Sequence, residues 1–307
     1  MLYFLAVRSV QAAFALFGVA TLVFIIQHLS GDPVALMVPE GATAEDIAIL
    51  REQFGFDRPI HVQFFDYLAG LLRGDLGTSY IQNIPVADIV ASRLSYTLWL
   101  SGAALAIALL VGLPIGIYAA LNRGRWSEKP ALAFVLAAQS MPTFWSGILL
   151  ILLFAVTLDW LPSSGAESSI SILLPAICLS GLTMATFARI SRNAIVEEMG
   201  KDYVRAAYAR GQRRLSIVLR HVSRNAAVPL ISITALELAN MLAGAVIVET
   251  VFAWPGLGLL AVQAIQANDF LVVQAIVLLG AAAYILLNLV ADILYGLVDP
   301  RIKGFAR

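Results

Sequence analysis

Six long apolar stretches alternate with shorter polar segments along the chain. They cover about residues 9–29, 96–121, 130–157, 170–190, 226–251 and 271–294. A helix needs roughly 20 apolar residues to cross about 30 Å of hydrocarbon, so each stretch is long enough to span a bilayer. The first stretch is too long for a signal peptide, and no cleavage motif of small residues follows it at residues 28–32, so we expect a retained span.

The segment between the first two spans, residues 30–95, is the longest polar region and is dominated by acids. Two amphipathic helices are predicted there, with apolar faces formed by Ile47, Leu50 and Phe54 and by Phe64, Leu68, Leu71 and Leu72. Pro85 is suited to open a helix that runs into the second span. This outer segment either docks a soluble partner or packs as a scaffold on the ends of the spans.

A basic stretch at residues 201–229 separates the fourth and fifth spans. Two short helices are predicted in it, over 202–210 and 213–225, because helix formers fill the first and apolar residues recur at helical spacing in the second. Gly211 lies between them and suits the left-handed conformation that ends a helix. A basic helix–glycine–helix element outside the bilayer can fit a partner protein, or it can serve topology and attraction to anionic lipid alone.

Composition and charge place the chain in a membrane with a defined orientation. Hydrophobic residues make up 60% of the 307 residues and charged residues only 13%, whereas soluble domains carry about a quarter charged residues. If both termini lie inside, 16 of the 20 Lys and Arg residues fall on the inner side. The positive-inside rule therefore predicts that the termini and the basic stretch are cytoplasmic.

No pattern typical of a soluble enzyme is present. The sequence lacks the phosphate-binding loop, the dinucleotide-binding glycine motif, and the zinc-protease and serine-hydrolase signatures. His28, His61 and His221 are too scattered to predict a metal site, and the single cysteine, Cys178, excludes a disulfide within the chain. We therefore expect no catalytic residue, cofactor or metal in this chain and no nucleic-acid partner. If the chain pumps a solute, its energy comes from elsewhere.

Polar and small residues inside the spans are further candidates. Glu237 and Asn240 lie within the fifth span, where an acid either lines a solute path or serves as a hydrogen-bonded structural group. Glu249 is expected near the outer end of that span, within reach of water. Pro142 breaks the helical pattern of the third span and frees a backbone carbonyl. Gly244, with small neighbours, is predicted to allow close helix packing.

Several motifs then resemble a known family. The basic stretch contains Asp202-Tyr203-Val204-Arg205-Ala206-Ala207 with Gly211, then Arg220-His221 and Arg224-Asn225 before Pro229. It is similar to the coupling loop of ABC-importer permeases, closest to the dipeptide/oligopeptide/nickel branch. The stretches at 50–59, 73–80 and 248–258, and the end of the chain from Asn288 to Arg301, also resemble that branch. The broader family pattern begins Glu-Ala-Ala, and Arg205 occupies the glutamate position here.

The resemblance implies an all-α polytopic membrane protein with six transmembrane helices. A helical outer segment would lie between spans 1 and 2, and a cytoplasmic coupling helix between spans 4 and 5. Residues 1–29 would form the N-terminus and first span, 30–95 the periplasmic segment, and 96–307 the five-span core with the coupling loop at about 191–225. The residues implied to contact the ATPase are Asp202, Tyr203, Arg205, Ala206, Ala207, Arg210, Gly211, Arg213 and Arg214.

The resemblance also implies partners and a setting. The chain would be the non-catalytic permease of an ATP-driven importer in the inner membrane of a bacterium or archaeon. It would pair with a second homologous permease, two ATPase subunits that bind ATP and Mg, and a periplasmic or lipid-anchored binding protein. Ala206 and Ala207 would permit close approach to the ATPase. Glu237 and Asn240 are the candidates for lining the path.

The substrate stays open at this stage. Dipeptides or oligopeptides are the default of the branch, and a nickel chelate, glutathione or another small solute is the alternative within it. A transporter driven by an ion gradient is the rival class, and it would favour inverted repeats and paired acids in the bilayer. The sequence shows no clear internal repeat. A structural subunit of a membrane complex is a third possibility.

Overall fold

The computed structural model describes residues 2–29, 43–53, 56–79 and 81–298, and this part of the chain is built from helices. The helices are α1 Leu2–Leu29, α2 Ala44–Gln53, α3 Ile60–Leu72, α4 Val86–Leu121, α5 Glu128–Ser140, α6 Thr143–Leu150, α7 Leu173–Met199, α8 Asp202–Ala209, α9 Arg214–Ile217, α10 Ser223–Val251, α11 Leu257–Gln266 and α12 Phe270–Val298. Two π-helical segments, Ile151–Thr157 and Val218–Val222, extend α6 and α9.

Five of these helices, α1, α4, α7, α10 and α12, are long and apolar enough to cross a membrane. The pair α5 and α6 makes a sixth span if it is counted as one. The expected all-helical polytopic fold is therefore confirmed. Helix α4 begins directly after Pro85, and α2 and α3 occupy the outer segment where two helices are predicted.

The third span is broken at Pro142, where the sequence predicts an interruption of the helix. The chain bends by 105° between Ser140 and Thr143. Met141 has extended backbone angles, φ −89° and ψ 135°, the conformation that a residue before proline prefers. Pro142 has no N–H and so cannot continue the helical hydrogen-bond ladder. The break follows from this dipeptide.

The described residues form two compact units, each with its own core. One contains Thr97–Pro255 and the described part of Tyr284–Arg307, and the other contains Leu2–Tyr96 and Gly256–Ala283. In the second unit, the ring of Phe24 on α1 packs against Phe64 and Tyr67 on α3 at centroid distances of 5.1 and 5.7 Å. Leu72, predicted on the apolar face of this helix, is instead 90% exposed.

The first unit depends on a close approach of α4 and α7. A Cβ atom added at Gly116 would lie 1.9 Å from Ser191 Oγ and 2.5 Å from the carbonyl oxygen of Ala188. At Gly112 it would lie 2.6 Å from the carbonyl oxygen of Met184. Glycines four residues apart allow two helix backbones to meet. At Gly244, where close packing is predicted, an added Cβ atom has nothing within 4 Å.

Glu249 lies in the core of the first unit, contrary to the expectation that water reaches it. Its exposed fraction is 0%. The Thr97 hydroxyl donates a hydrogen bond of 2.7 Å to its carboxylate. Glu249 is therefore shielded from water although it lies near the end of its helix, because neighbouring segments cover it.

Candidate functional site

Residues 200–214, the central part of the predicted coupling loop at about 191–225, have the helix–glycine–helix geometry that the sequence predicts. Helix α8 begins after Lys201, whose backbone is extended, and ends at Ala209, with Arg210 as its C-cap. Gly211 has φ +75°, and its N–H donates to the Tyr208 carbonyl oxygen at 2.9 Å. The left-handed conformation predicted for Gly211 is confirmed. It turns the chain before α9 starts at Arg214.

The two faces of α8 have different surroundings. Val204 and Ala207 are buried in a small core with Ile217, Val218 and Val222. The opposite face and the following turn are exposed and carry Arg205, Ala206, Arg210, Arg213 and Arg214. Ala207 therefore packs against its own chain, and only Ala206 of the alanine pair lies on a face that another protein can reach. The docking role of this face stays a prediction.

The exposed face carries a strong excess of positive charge. Asp202 lies in the first turn of α8, where a carboxylate interacts favourably with the helix dipole. It pairs with Arg205 at 3.2 Å, but both side chains are largely exposed, so the pair contributes only about 0–1 kcal/mol. Arg210 donates to the Ala206 carbonyl oxygen at 3.2 Å. The surface is therefore suited to contact acidic groups.

A cluster of polar side chains, which no sequence pattern predicts, connects α8 to its neighbouring helices. We call it the latch, and it consists of Glu198, Lys201, Tyr203 and Asn225. The Tyr203 hydroxyl donates to Glu198 at 2.8 Å, and Asn225 donates to the Tyr203 oxygen at 3.3 Å. Lys201 forms an ion pair with Glu198. The Glu198 side chain at the end of α7 thus connects α8 to the start of α10.

The pKa shifts of Tyr203 and Lys201 favour the protonated forms of both side chains, which are the forms that donate hydrogen bonds. Burial raises the pKa of the Tyr203 phenol, and its hydrogen bond to the Glu198 carboxylate raises it further. The hydrogen bond to Glu198 also raises the pKa of Lys201. Tyr203 and Lys201 therefore keep their protons at neutral pH, and both point a donor at one carboxylate.

Replacing Glu198 with alanine is expected to loosen α8. The change removes the acceptor for Tyr203 and Lys201, and such a loss costs about 1–3 kcal/mol. Amide hydrogen exchange in residues 203–211 of the purified protein should become about tenfold faster or more. The matched control is Glu197→Ala, which removes an exposed acid next in sequence. Equal exchange in the two variants would show that the latch does not hold α8.

A cavity of about 150 Å³ with both polar and apolar lining lies in the first unit at the break in the third span. Its polar lining residues come from both sides of the break and from α7 and α10. They are Gln139, Thr143, Ser146, Cys178, Thr183, Glu237 and Asn240. The structure thus brings Glu237 and Asn240 into one cavity, as residues three apart on a helix face. Their role in lining a solute path stays a prediction.

Glu237 is the carboxylate of this cavity. It is 8% exposed, and the Thr183 hydroxyl donates to it at 2.8 Å. The Cys178 thiol donates to the Thr143 carbonyl oxygen at 3.3 Å, and the Ser146 hydroxyl donates to the same oxygen at 2.9 Å. Of the described residues that line the cavity, Glu237 alone carries a formal charge. Within the described chain, no group of three or more His, Cys, Asp or Glu residues is arranged to hold a metal ion.

The long apolar helices define a helical membrane protein, and solved ABC transporters share its fold. The inward-facing MetNI methionine ABC transporter aligns with a TM-score of 0.55 at 20% identity, covering 69% of this chain and 96% of that one. An amino acid ABC transporter with histidines aligns with a TM-score of 0.51 at 20% identity, covering 70% and 94%. These likenesses concern the fold alone.

The chain belongs to the family of binding-protein-dependent transport system inner membrane components. The family model matches residues 112–304, and the model of the family's N-terminal part matches residues 1–101. The chain is therefore a permease subunit of a bacterial ABC importer in the inner membrane, and the resemblance noted from the sequence is confirmed.

Two relatives carry the name glutathione transport system permease protein GsiC. The protein from Salmonella choleraesuis (strain SC-B67) is 41% identical over 286 residues, covering 93% of this chain and 94% of the relative. The protein from Escherichia coli (strain K12) is 38% identical over 304 residues, covering 99% of each chain. The similarity thus includes the outer segment, the coupling loop and the spans.

Proposed function

We propose that this chain imports glutathione or a similar small peptide across the inner membrane. A second homologous permease would complete the path, and two cytoplasmic ATPase subunits that bind ATP and Mg would drive it. A periplasmic or lipid-anchored binding protein would deliver the solute, and both termini of this chain would lie in the cytoplasm. The observation that carries the proposal is the 38–41% identity, over nearly the whole chain, with glutathione permeases.

The coupling loop supports the partnership with an ATPase. Its exposed face carries four arginines around one small residue, Ala206, while its other face is fixed by the latch and by buried Val204. A rigid, basic, shallow protrusion suits an acidic groove, because complementary charge favours the correct partner. In this proposal, closure of the ATPases on ATP moves the loop, and the loop moves the spans.

The polar cavity supports a peptide-like solute. Its amide side chains, Gln139 and Asn240, can each donate and accept hydrogen bonds, and its hydroxyl groups can do the same. A peptide backbone needs both kinds of partner. A nickel chelate or another small solute of the same branch is the alternative substrate, and it would need fewer hydrogen-bond donors from the cavity. The transport assay should distinguish it from a peptide.

Purification of the tagged chain from its own membranes in mild detergent is the direct test of the partners. Mass spectrometry is expected to find a second permease, an ATPase and a binding protein. The recovered complex, in liposomes with the binding protein, should take up labelled glutathione only when ATP is present. A variant of the ATPase that lacks its phosphate-loop lysine is the matched control.

Uptake driven by an ion gradient without ATP would contradict the proposal in favour of a secondary transporter. Uptake of a nickel chelate but not of glutathione or alanyl-alanine would contradict the substrate alone. Recovery of the chain without an ATPase would contradict the role of the coupling loop.

A further inference from the structure

We propose that Glu237 binds the ammonium group of the solute inside the membrane, so that the permease itself selects for a free amino group. This inference rests on the proposed function and deepens it. The solute would then be selected twice, first by the binding protein outside the membrane and again by Glu237 in the permease.

The cavity lies where the helical ladder of the third span is interrupted. Its lining includes Gln139 before the break and Thr143 and Ser146 after it. Irregular backbone at membrane depth is tolerated where it lines a cavity or is covered by protein. In secondary transporters, which are a different class, discontinuous helices form the solute site near the middle of the bilayer. The position therefore favours a binding role over a purely structural one.

The Glu237 carboxyl has a hydroxyl donor beside it but no cationic side chain among the described residues that line the cavity. The Thr183 hydroxyl is a neutral donor, and none of the described residues lining the cavity is Lys, Arg or His. A buried charge is costly unless it is paired and hydrogen-bonded. A positively charged amino group entering the cavity would supply the missing counter-charge and a charge-assisted hydrogen bond. An anionic group would be repelled.

The size of the cavity limits what it can hold. At about 150 Å³, it is smaller than the roughly 300–1,000 Å³ of pockets that enclose a whole drug-sized ligand. It can hold an amino group and the carbon that carries it. Gln139 and Asn240 line the same space, and an amide side chain carries a carbonyl oxygen that can accept an ammonium proton. The cavity is therefore fitted to one end of a peptide.

The test compares two solutes in two variants of the full complex. The solutes are glutathione and its desamino analogue, which lacks only the ammonium group. The variants are the unchanged complex and Glu237→Gln, in which the amide oxygen can still accept from Thr183, so the fold should persist. The binding protein is the same throughout, so its own preference cancels in the ratio of uptake rates.

We expect the unchanged complex to prefer glutathione over the analogue by about tenfold more than the Glu237→Gln complex does, the typical effect of a charge-assisted hydrogen bond. Glu167→Gln, at an exposed acid outside the cavity, should keep the full preference. Equal preference in Glu237→Gln and the unchanged complex would overturn the inference. Failure of the unchanged complex to transport either solute would instead overturn the proposed function.

Discussion

Replacing Gly116 with valine is expected to remove most of the folded protein from the membrane. The new Cβ atom would lie 1.9 Å from Ser191 Oγ and 2.5 Å from a backbone oxygen of Ala188. The side chain of Ser191 can rotate away, but the backbone of α7 can only move with its whole helix. Overpacking of a core costs about 1–3 kcal/mol even where side chains can adjust, and a backbone clash should exceed this.

Size-exclusion chromatography of the detergent-solubilised, fluorescently tagged protein measures this loss as the fraction in a single sharp peak. Gly102→Val is the matched control, because Gly102 lies on the same helix and an added Cβ there has nothing within 4 Å. It should elute like the unchanged protein. Similar profiles for the two variants would show that α4 and α7 do not meet at Gly116.

Replacing Ala206 with tryptophan is expected to reduce coupled transport strongly while the permease stays folded. Ala206 lies on the exposed face of α8, so the bulky ring meets only a partner surface. A partner that fits closely around alanine would be displaced by the ring. We therefore expect uptake of labelled glutathione to fall by about tenfold or more. A tenfold fall corresponds to about 1.4 kcal/mol of lost binding free energy. Uptake and ATP hydrolysis by the reconstituted complex are the measurements.

Two further variants separate docking from folding. Ala207→Trp places the same ring in the buried core beside Val204 and Ile217, so it should lower thermal stability as well as transport. Ala91→Trp, at an exposed site in the outer part of the chain, should change neither. Normal uptake by Ala206→Trp would rule out the docking of this face on the ATPase.

The helices of this protein could be predicted from sequence because each depends on a local property. Length and hydropathy predict the spans, Pro85 predicts the start of α4, and Gly211 predicts the turn after α8. The break in the third span could be anticipated at Pro142, but its angle could not, because the angle depends on what packs around the freed backbone. Local sequence patterns therefore predict where the helices begin and end, but they do not predict how the helices pack against one another.

The arrangement itself depended on contacts between distant residues. Glu198 and Asn225 are 27 positions apart, and Thr183 and Glu237 are 54 positions apart. No spacing rule links such pairs. Gly116 was overlooked as a packing site in favour of Gly244, because sequence shows which residues are small but not which face of a helix meets another helix.

The latch connects the coupling loop to the two helices, α7 and α10, that line the cavity. It grips the end of α7 at Glu198 and the start of α10 at Asn225, and the same two helices carry Thr183 and Glu237. At 1.5 Å per residue these sites lie about 22 and 18 Å along their helices from the latch. The same loop therefore contacts both helices that carry this hydrogen-bonded pair. In the proposed function, a tilt of one helix relative to the other at the latch would change the distance between the Glu237 carboxylate and the Thr183 hydroxyl, so movement of the loop would reach the site proposed for the solute.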